Sequence, residues 1–263
     1  MNLLLLDDAD LRADGTATLA GRTALHVREV LRAGPGDVVR VGRMGGWMGS
    51  AEVLRSEPGT VLLRVRLDTP PPARPGVDVV LALPRPKVLR RLLASASALG
   101  VDRLLLVNAA RVEKSYFGSP LLEQARTAAA LREGLEQAKD TCAPEVHLFE
   151  RFRPFVEDTV DGLLGPGTRL LLHPAPERAP LARPPGGRVA LAIGPEGGWV
   201  PFERELLERH GFTPASFGPR TLRVEAVLPY ALGWLDGSRP AEPGREKLPG
   251  TEPWPTPPRP PSP

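Results

Sequence analysis

The sequence predicts an α/β fold preceded by a small β-rich module, on three observations. Val77 to Leu83 is a near-continuous apolar run, as in a strand buried on both faces. A helical stretch and a second buried strand follow within about 30 residues, which makes a βαβ unit and a parallel sheet. Residues 1–68 instead hold short β-branched runs broken by glycines, the pattern of a meander or small barrel.

Taken in order, Val38–Val41, Ala51–Leu54 and Val61–Leu67 are the strands expected of the first module. One helix interrupts it, with Thr23 as its cap, Leu25, Val27, Val30 and Leu31 as an apolar side, and Gly34 as its end. His26, Arg28 and Arg32 make part of its other side basic. A stiff proline-rich connector covers residues 70–76. Beyond the first buried strand, Leu89, Leu92, Leu93, Ala96 and Leu99 recur at helical spacing between Lys87 and Gly100. Arg103–Asn108 reads as the next strand and Ala125–Lys139 as a long helix. A looser stretch from Ala143 to Gly187 contains the strand Arg169–His173. Arg188–Ile193 is a further strand. A helix then opens near Pro201 and stops at Gly211, and Val224–Leu235 forms the last helix. From Arg239 onward 10 of 25 residues are proline, so the tail is expected to be disordered. The expected division is therefore 1–69, 70–76, 77–238 and 239–263.

With 41% hydrophobic and 25% charged residues among 263, the composition is that of a globular protein and excludes collagen, coiled coil and wholesale disorder. The 34 basic and 31 acidic side chains leave a net charge of only +3, so a basic surface must come from clustering. One such cluster is Arg85, Lys87, Arg90, Arg91, Arg103, Arg111 and Lys114, set against only Asp102 and Glu113. Cys142 is the single cysteine, which rules out an internal disulfide framework and a cysteine-built zinc site. The start of the chain lacks the basic leader and long apolar stretch of a signal peptide, and no window is apolar enough to span a membrane. A soluble cytoplasmic protein is expected.

Three loops carry the candidate chemistry. Ile193-Gly-Pro-Glu-Gly-Gly198 stands where a buried strand ends, and glycines there let main-chain N–H groups approach a ligand. It is neither a Walker loop nor a Rossmann GxGxxG. Phe217-Gly-Pro-Arg-Thr-Leu-Arg-Val-Glu225 delivers two arginines and a glutamate into a helix start, as a capped turn with solvated charges or as an anion clamp. His173-Pro-Ala-Pro176 makes a rigid loop after another strand.

Together with His26-Val-Arg-Glu-Val-Leu-Arg32, Leu83-Pro-Arg-Pro-Lys87, Arg111-Val-Glu-Lys-Ser115, Gly134-Leu-Glu-Gln-Ala138, Glu203 and Leu222-Arg223 with Glu225, these loops form an ordered set. The chain resembles the RsmE family, the 16S rRNA uracil-N3 methyltransferases of the SPOUT class, over most of its first 237 residues. The resemblance implies a SPOUT α/β trefoil-knot methyltransferase domain preceded by a PUA-like RNA-gripping β-barrel. It implies S-adenosylmethionine (SAM) as cofactor, bound by Leu172, His173 and Pro174, by Ile193, Gly194, Pro195, Glu196, Gly197 and Gly198, and by Phe217, Gly218 and Leu222. It also implies a homodimer whose active site is completed across the subunit interface, acting on 16S rRNA of the 30S subunit.

Methylating uracil at N3 requires removal of the N3 proton. Arg223 is assigned to stabilise the resulting anion or orient the base, and Glu225 to hold Arg223, with Glu225 as general base the alternative. RNA contacts are expected from Arg22, His26, Arg28, Arg32, Arg43, Arg85, Lys87, Arg91 and Lys114, and base stacking from Trp47, Tyr116 or Phe117. The chain departs from the family pattern at Ala226, where a threonine hydroxyl is usual and would supply a hydrogen bond or helix cap, and at Val200-Pro201, where a serine cap is common. Two other functions fit the same loops: methylation of another RNA atom such as a ribose 2′-hydroxyl, and a non-catalytic ribosome-assembly or RNA-binding factor.

Overall fold

The computed structural model describes residues 3–173 and 187–237. The proline-rich tail from 239 and Pro174 lie outside the described residues.

The first module is a five-stranded sheet in the order β1-β3-β4-β5-β2, formed by β1 (Leu4–Leu6), β2 (Thr16–Ala20), β3 (Val38–Arg43), β4 (Met48–Glu57) and β5 (Thr60–Thr69). Neighbouring strands are antiparallel except β1 and β3, which run parallel. β1 and β2 are strands the periodicity did not signal: β1 has only three residues, all buried, and β2 is a five-residue run of threonine and alanine around a single leucine. Gly49 lets β4 cross β5 closely: a side chain there would strike the carbonyl of Arg66.

The expected helix of this module is displaced. Helix α1 covers Gly21–Leu25 and continues as a π-helical turn over His26–Val30, with Thr23 inside it rather than capping it. The wider turn shifts the phase of the face, as the Leu31 N–H donation to the His26 carbonyl at 3.0 Å records. Ala24 and Val27 therefore face the core, while Leu25, Val30 and Leu31 are 49%, 64% and 38% exposed.

The second sheet is wholly parallel, in the order β11-β9-β10-β6-β7-β8. Its strands are β6 (Val77–Ala82), β7 (Arg103–Val107), β8 (Glu145–Phe149), β9 (Thr168–Leu172), β10 (Val189–Ile193) and β11 (Phe212–Ala215). The helices are α2 (Pro86–Ala98), α3 (Gln124–Ala138), α4 (Phe152–Pro154), α5 (Val160–Leu164), α6 (Pro201–Arg209) and α7 (Val224–Gly237). Leu89, Leu92, Leu93 and Ala96 of α2 are buried, as their spacing predicts. Leu99, placed on the same apolar stripe, is instead 40% exposed, because it follows the last helical residue. The one charge in the buried β6 run, Asp78, is fully enclosed. Arg103 grips it bidentately at 2.7 and 2.8 Å, and Arg188 adds contacts at 2.9 and 3.0 Å, so no buried charge is left unpaired there.

The two sheets meet at the end of the parallel sheet where β8 begins. Leu3, Leu5 and Leu135 form a small shared core, Arg132 of α3 pairs with Asp7 at 2.9 Å, and Gly45 N–H donates to the Thr141 carbonyl at 2.8 Å. The connector does not hang free. Arg74 donates to the carbonyls of Cys142 and Val101 at 2.5 and 2.6 Å.

Gly134 lies where α3 crosses α2, and a Cβ there would strike the Ala94 carbonyl oxygen. Gly134→Ala should cost about 1–3 kcal/mol in denaturant melts, and an unchanged midpoint would contradict this packing. Burial pushes the Glu136 carboxyl above its ordinary value, against the opposing pull of Arg132. A raised folded-state value favours the protonated native form, so Glu136 makes stability fall as pH rises above the usual glutamate range. Glu136→Gln should flatten that slope in thermal melts taken from acid to neutral pH. A slope equal to wild type would refute the assignment.

Candidate functional site

β9, β10 and β11 are neighbours, and Leu172 is in register with both Ile193 and Ala215. Their carboxyl ends therefore stop at one level, and the loops leaving them converge, as in open parallel sheets that bind ligands at this edge. Between these loops and the start of α2 lies a cavity of about 760 Å³.

After β9, the His173 N–H donates to the Ala215 carbonyl at 3.0 Å, and the imidazole Nε2 stands 3.4 Å from Arg204. After β10, the glycine loop turns tightly: Gly198 has φ +74° and its N–H donates to the Pro195 carbonyl at 2.7 Å. A Cβ on Gly194 would lie 3.0 Å from the Trp199 indole nitrogen, so only glycine lets the loop rest on that ring. Trp199 is 3% exposed and tilts against Phe152 with centroids 5.6 Å apart. Its Nε1 meets no acceptor among the described residues. After β11, Gly218 has φ +105°, and Phe217 packs edge-on to Tyr230 and Trp234 of α7.

Leu172 and His173, residues 193–198, and Phe217, Gly218 and Leu222 all border this cavity, as do Arg223 and Glu225. Arg85, Lys87 and Arg91, assigned to RNA from charge alone, border it too. Arg220 and Thr221, inside the last of the three loops, border it as well, whereas the sequence reading missed Trp199 and Ser216 in the lining. Trp199 directly follows the glycine loop and Ser216 directly precedes the last one, so position was their only signal. Five basic side chains face two carboxylates here. Arg85 pairs with Glu196 and Arg91 with Glu225, each at 3.4 Å. Lys87, Arg220 and Arg223 have no carboxylate partner among the described residues.

The expected hold of Glu225 on Arg223 is not what the structure has. Arg223 precedes the first residue of α7, and Glu225 inside the helix turns to Arg91 of α2 instead. The cap reading at Ala226 is also corrected. The N–H groups of Ala226 and Val227 both donate to the Arg223 carbonyl, at 2.8 and 3.1 Å, so Ala226 lies inside the first turn of α7. At the other departure, Val200-Pro201, the cap work passes to Glu203, whose Oε2 accepts the Val200 N–H at 3.0 Å.

The remaining RNA candidates lie elsewhere. Lys114 begins a 3₁₀ turn over Lys114–Gly118. Arg22, His26, Arg28, Arg32 and Arg43 belong to the first module, which docks at the far end of the parallel sheet from the cavity. Arg43 is paired with Asp8 at 2.7 Å, and Arg28 donates to the Glu57 carbonyl at 3.2 Å. Burial holds the His26 pKa below its ordinary value, which keeps the ring neutral at physiological pH. Tyr116 and Phe117 pack partly buried against the main core, whereas Trp47 is 54% exposed.

The cavity suits a cofactor held by main chain. The N–H groups of Glu196, Gly197 and Leu222 beside it meet no acceptor among the described residues. Its volume falls in the range of small-molecule sites.

A family model described as an RNA methyltransferase domain matches residues 71–236. The ribosomal RNA small subunit methyltransferase E of Treponema pallidum is 32% identical over 234 residues, 86% of this chain and 87% of that one. The Mycobacterium tuberculosis protein of the same name is 29% identical over 221 residues, covering 82% and 84%. The Neisseria gonorrhoeae methyltransferase E, solved with S-adenosylmethionine, superposes with a TM-score of 0.72 at 20% identity, covering 90% of this chain and 97% of that one. A Legionella pneumophila methyltransferase solved with SAM gives 0.71 at 23%, covering 90% and 97%. These likenesses show the fold: an α/β domain on a parallel sheet, preceded by a barrel-like module.

Gly194→Ala should displace the Trp199 indole, red-shifting the emission lost in Trp199→Phe and costing about 1–3 kcal/mol of stability. An unmoved spectrum would disprove the contact.

Proposed function

Because this chain belongs to the RsmE family of RNA methyltransferases, we propose that it transfers the methyl group of S-adenosylmethionine to N3 of a specific uridine in 16S rRNA of the small ribosomal subunit. The observation that carries this reading is the convergence of three strand-end loops on one cavity bordered by Arg223, where main-chain donors and Arg223 itself lack partners among the described residues.

The cofactor, when bound, supplies an electrophilic methyl carbon on a sulfonium. What remains for the protein is to hold it and to make N3 nucleophilic. Leu172, His173, residues 193–198, Phe217, Gly218 and Leu222 are the groups proposed to hold it, with Pro174 as part of the first loop. The neutral imide N3 has no free lone pair, so its proton must leave before the N–C bond forms. Arg223, with no carboxylate partner among the described residues, favours the resulting anion and lines up the base. Glu225 acts from its pairing with Arg91, which fixes the first turn of α7 against α2.

RNA is engaged first through charge. Arg85, Lys87, Arg91 and Lys114 serve on the methyltransferase side, and Arg22, Arg28, Arg32 and Arg43 on a module spanning 1–69. That module stands far from its own cavity, which supports a homodimer in which one copy presents RNA to the cavity of the other. Exposed Phe202 and Tyr230 offer apolar surface near the cavity end for such pairing. The setting is cytoplasmic. Among the described residues, no helix is long and apolar enough to cross a membrane.

The test is 16S rRNA from cells with and without this protein, analysed by mass spectrometry. N3-methyluridine should disappear without it. Loss of a ribose 2′-O-methyl instead would place the chemistry on another atom, and no change would leave a binding factor. Arg223→Ala should lower kcat on 30S particles by about 10²-fold with SAM binding retained. A near-wild-type rate would remove Arg223 from the mechanism.

A further inference from the structure

Arg111 belongs, by charge, to the basic run expected to meet RNA, but its side chain points to another task. The segment after β7 is fixed by a carboxylate from another element. Glu203 of α6 is 2% exposed, and its Oε1 accepts the Ala110 N–H at 2.6 Å while Oε2 accepts the Val200 N–H at 3.0 Å. A buried carboxylate is tolerated when its oxygens are filled by fixed donors, and here both donors are main chain. Glu203 thus ties the start of α6, just past the glycine loop, to the residue before Arg111.

From that seat the Arg111 guanidinium donates to the Gly197 carbonyl. Its Cδ lies 2.9 Å from where a Gly197 Cβ would stand, so the arginine stem fills the space that glycine leaves. The peptide joining Gly197 to Gly198 is therefore held at both ends, its carbonyl by Arg111 and its N–H by the Pro195 carbonyl at 2.7 Å. Fixing this peptide plane fixes the direction of the preceding N–H groups, those of Glu196 and Gly197, which meet no acceptor among the described residues.

We propose that Arg111, seated by Glu203, is a positioning residue that sets the conformation of the 194–198 loop and thereby its affinity for the cofactor. This rests on the reading that the cavity takes SAM. Arg111 is exposed, so its removal leaves the core intact.

The experiment is calorimetric titration of SAM into the full chain, paired with 16S rRNA binding across a salt series. Wild type should bind SAM. Arg111→Ala should weaken that binding roughly tenfold while leaving RNA affinity and its salt slope unchanged. Arg111→Lys should recover most of the loss, because one ammonium donor still reaches the Gly197 carbonyl. Glu203→Gln should shift SAM affinity in the same direction as Arg111→Ala, since an amide cannot accept from both main-chain donors. The proposal is overturned if Arg111→Ala binds SAM like wild type. It is equally overturned if that variant instead reduces the RNA salt slope by about one, the mark of a lost phosphate contact. Failure of the wild-type chain to bind SAM refutes the cofactor reading, and this inference with it.

Discussion

The site depends on strand register. Because Leu172 is level with Ile193 on one side and Ala215 on the other, three parallel strands deliver their carboxyl ends to one line. Adjacent strands lie about 4.8 Å apart, so three loops that are distant in sequence begin within about 10 Å of one another. Slipping one strand by a residue would turn its buried side chains to the other face and lift its loop out of the cluster.

The two ends of the parallel sheet divide the work. At the end where the strands begin, charge pairing and interlocking hold the molecule together: Asp78 with Arg103 and Arg188, Arg132 with Asp7, and Arg74 on the connector. At the other end glycines replace bulky side chains and, among the described residues, main-chain donors are left unengaged and Lys87, Arg220 and Arg223 lack carboxylate partners. Such arrangements are costly in a folding unit and suited to a ligand. Glu203 and Trp199, both buried, support the glycine loop at this end.

Much of this was legible in the sequence where burial is two-sided. Val77–Leu83, Arg103–Asn108 and Arg188–Ile193 announce themselves because a strand covered on both faces reads as an unbroken apolar run. The glycine loop was legible because glycines directly after such a run mark a tight turn with open backbone. β8 and β11 were not, since as edge strands of the sheet they carry exposed and polar positions that blur any period. The helix near Thr23 was misplaced because a π turn, which no spacing rule anticipates, rotated its buried face. The Glu225–Arg91 pair was hidden for a different reason: it joins helices more than 130 residues apart in the chain, whereas Arg223 was merely the nearest arginine in sequence. Tertiary proximity decided that pairing.

The central claim is that the ends of β9, β10 and β11 form a single cofactor-holding surface. Amide hydrogen exchange with and without SAM tests it most directly. The account predicts that SAM slows exchange together in all three segments, around 172–173, 194–199 and 216–223. Protection confined to one of them, or appearing on the first module instead, would contradict it.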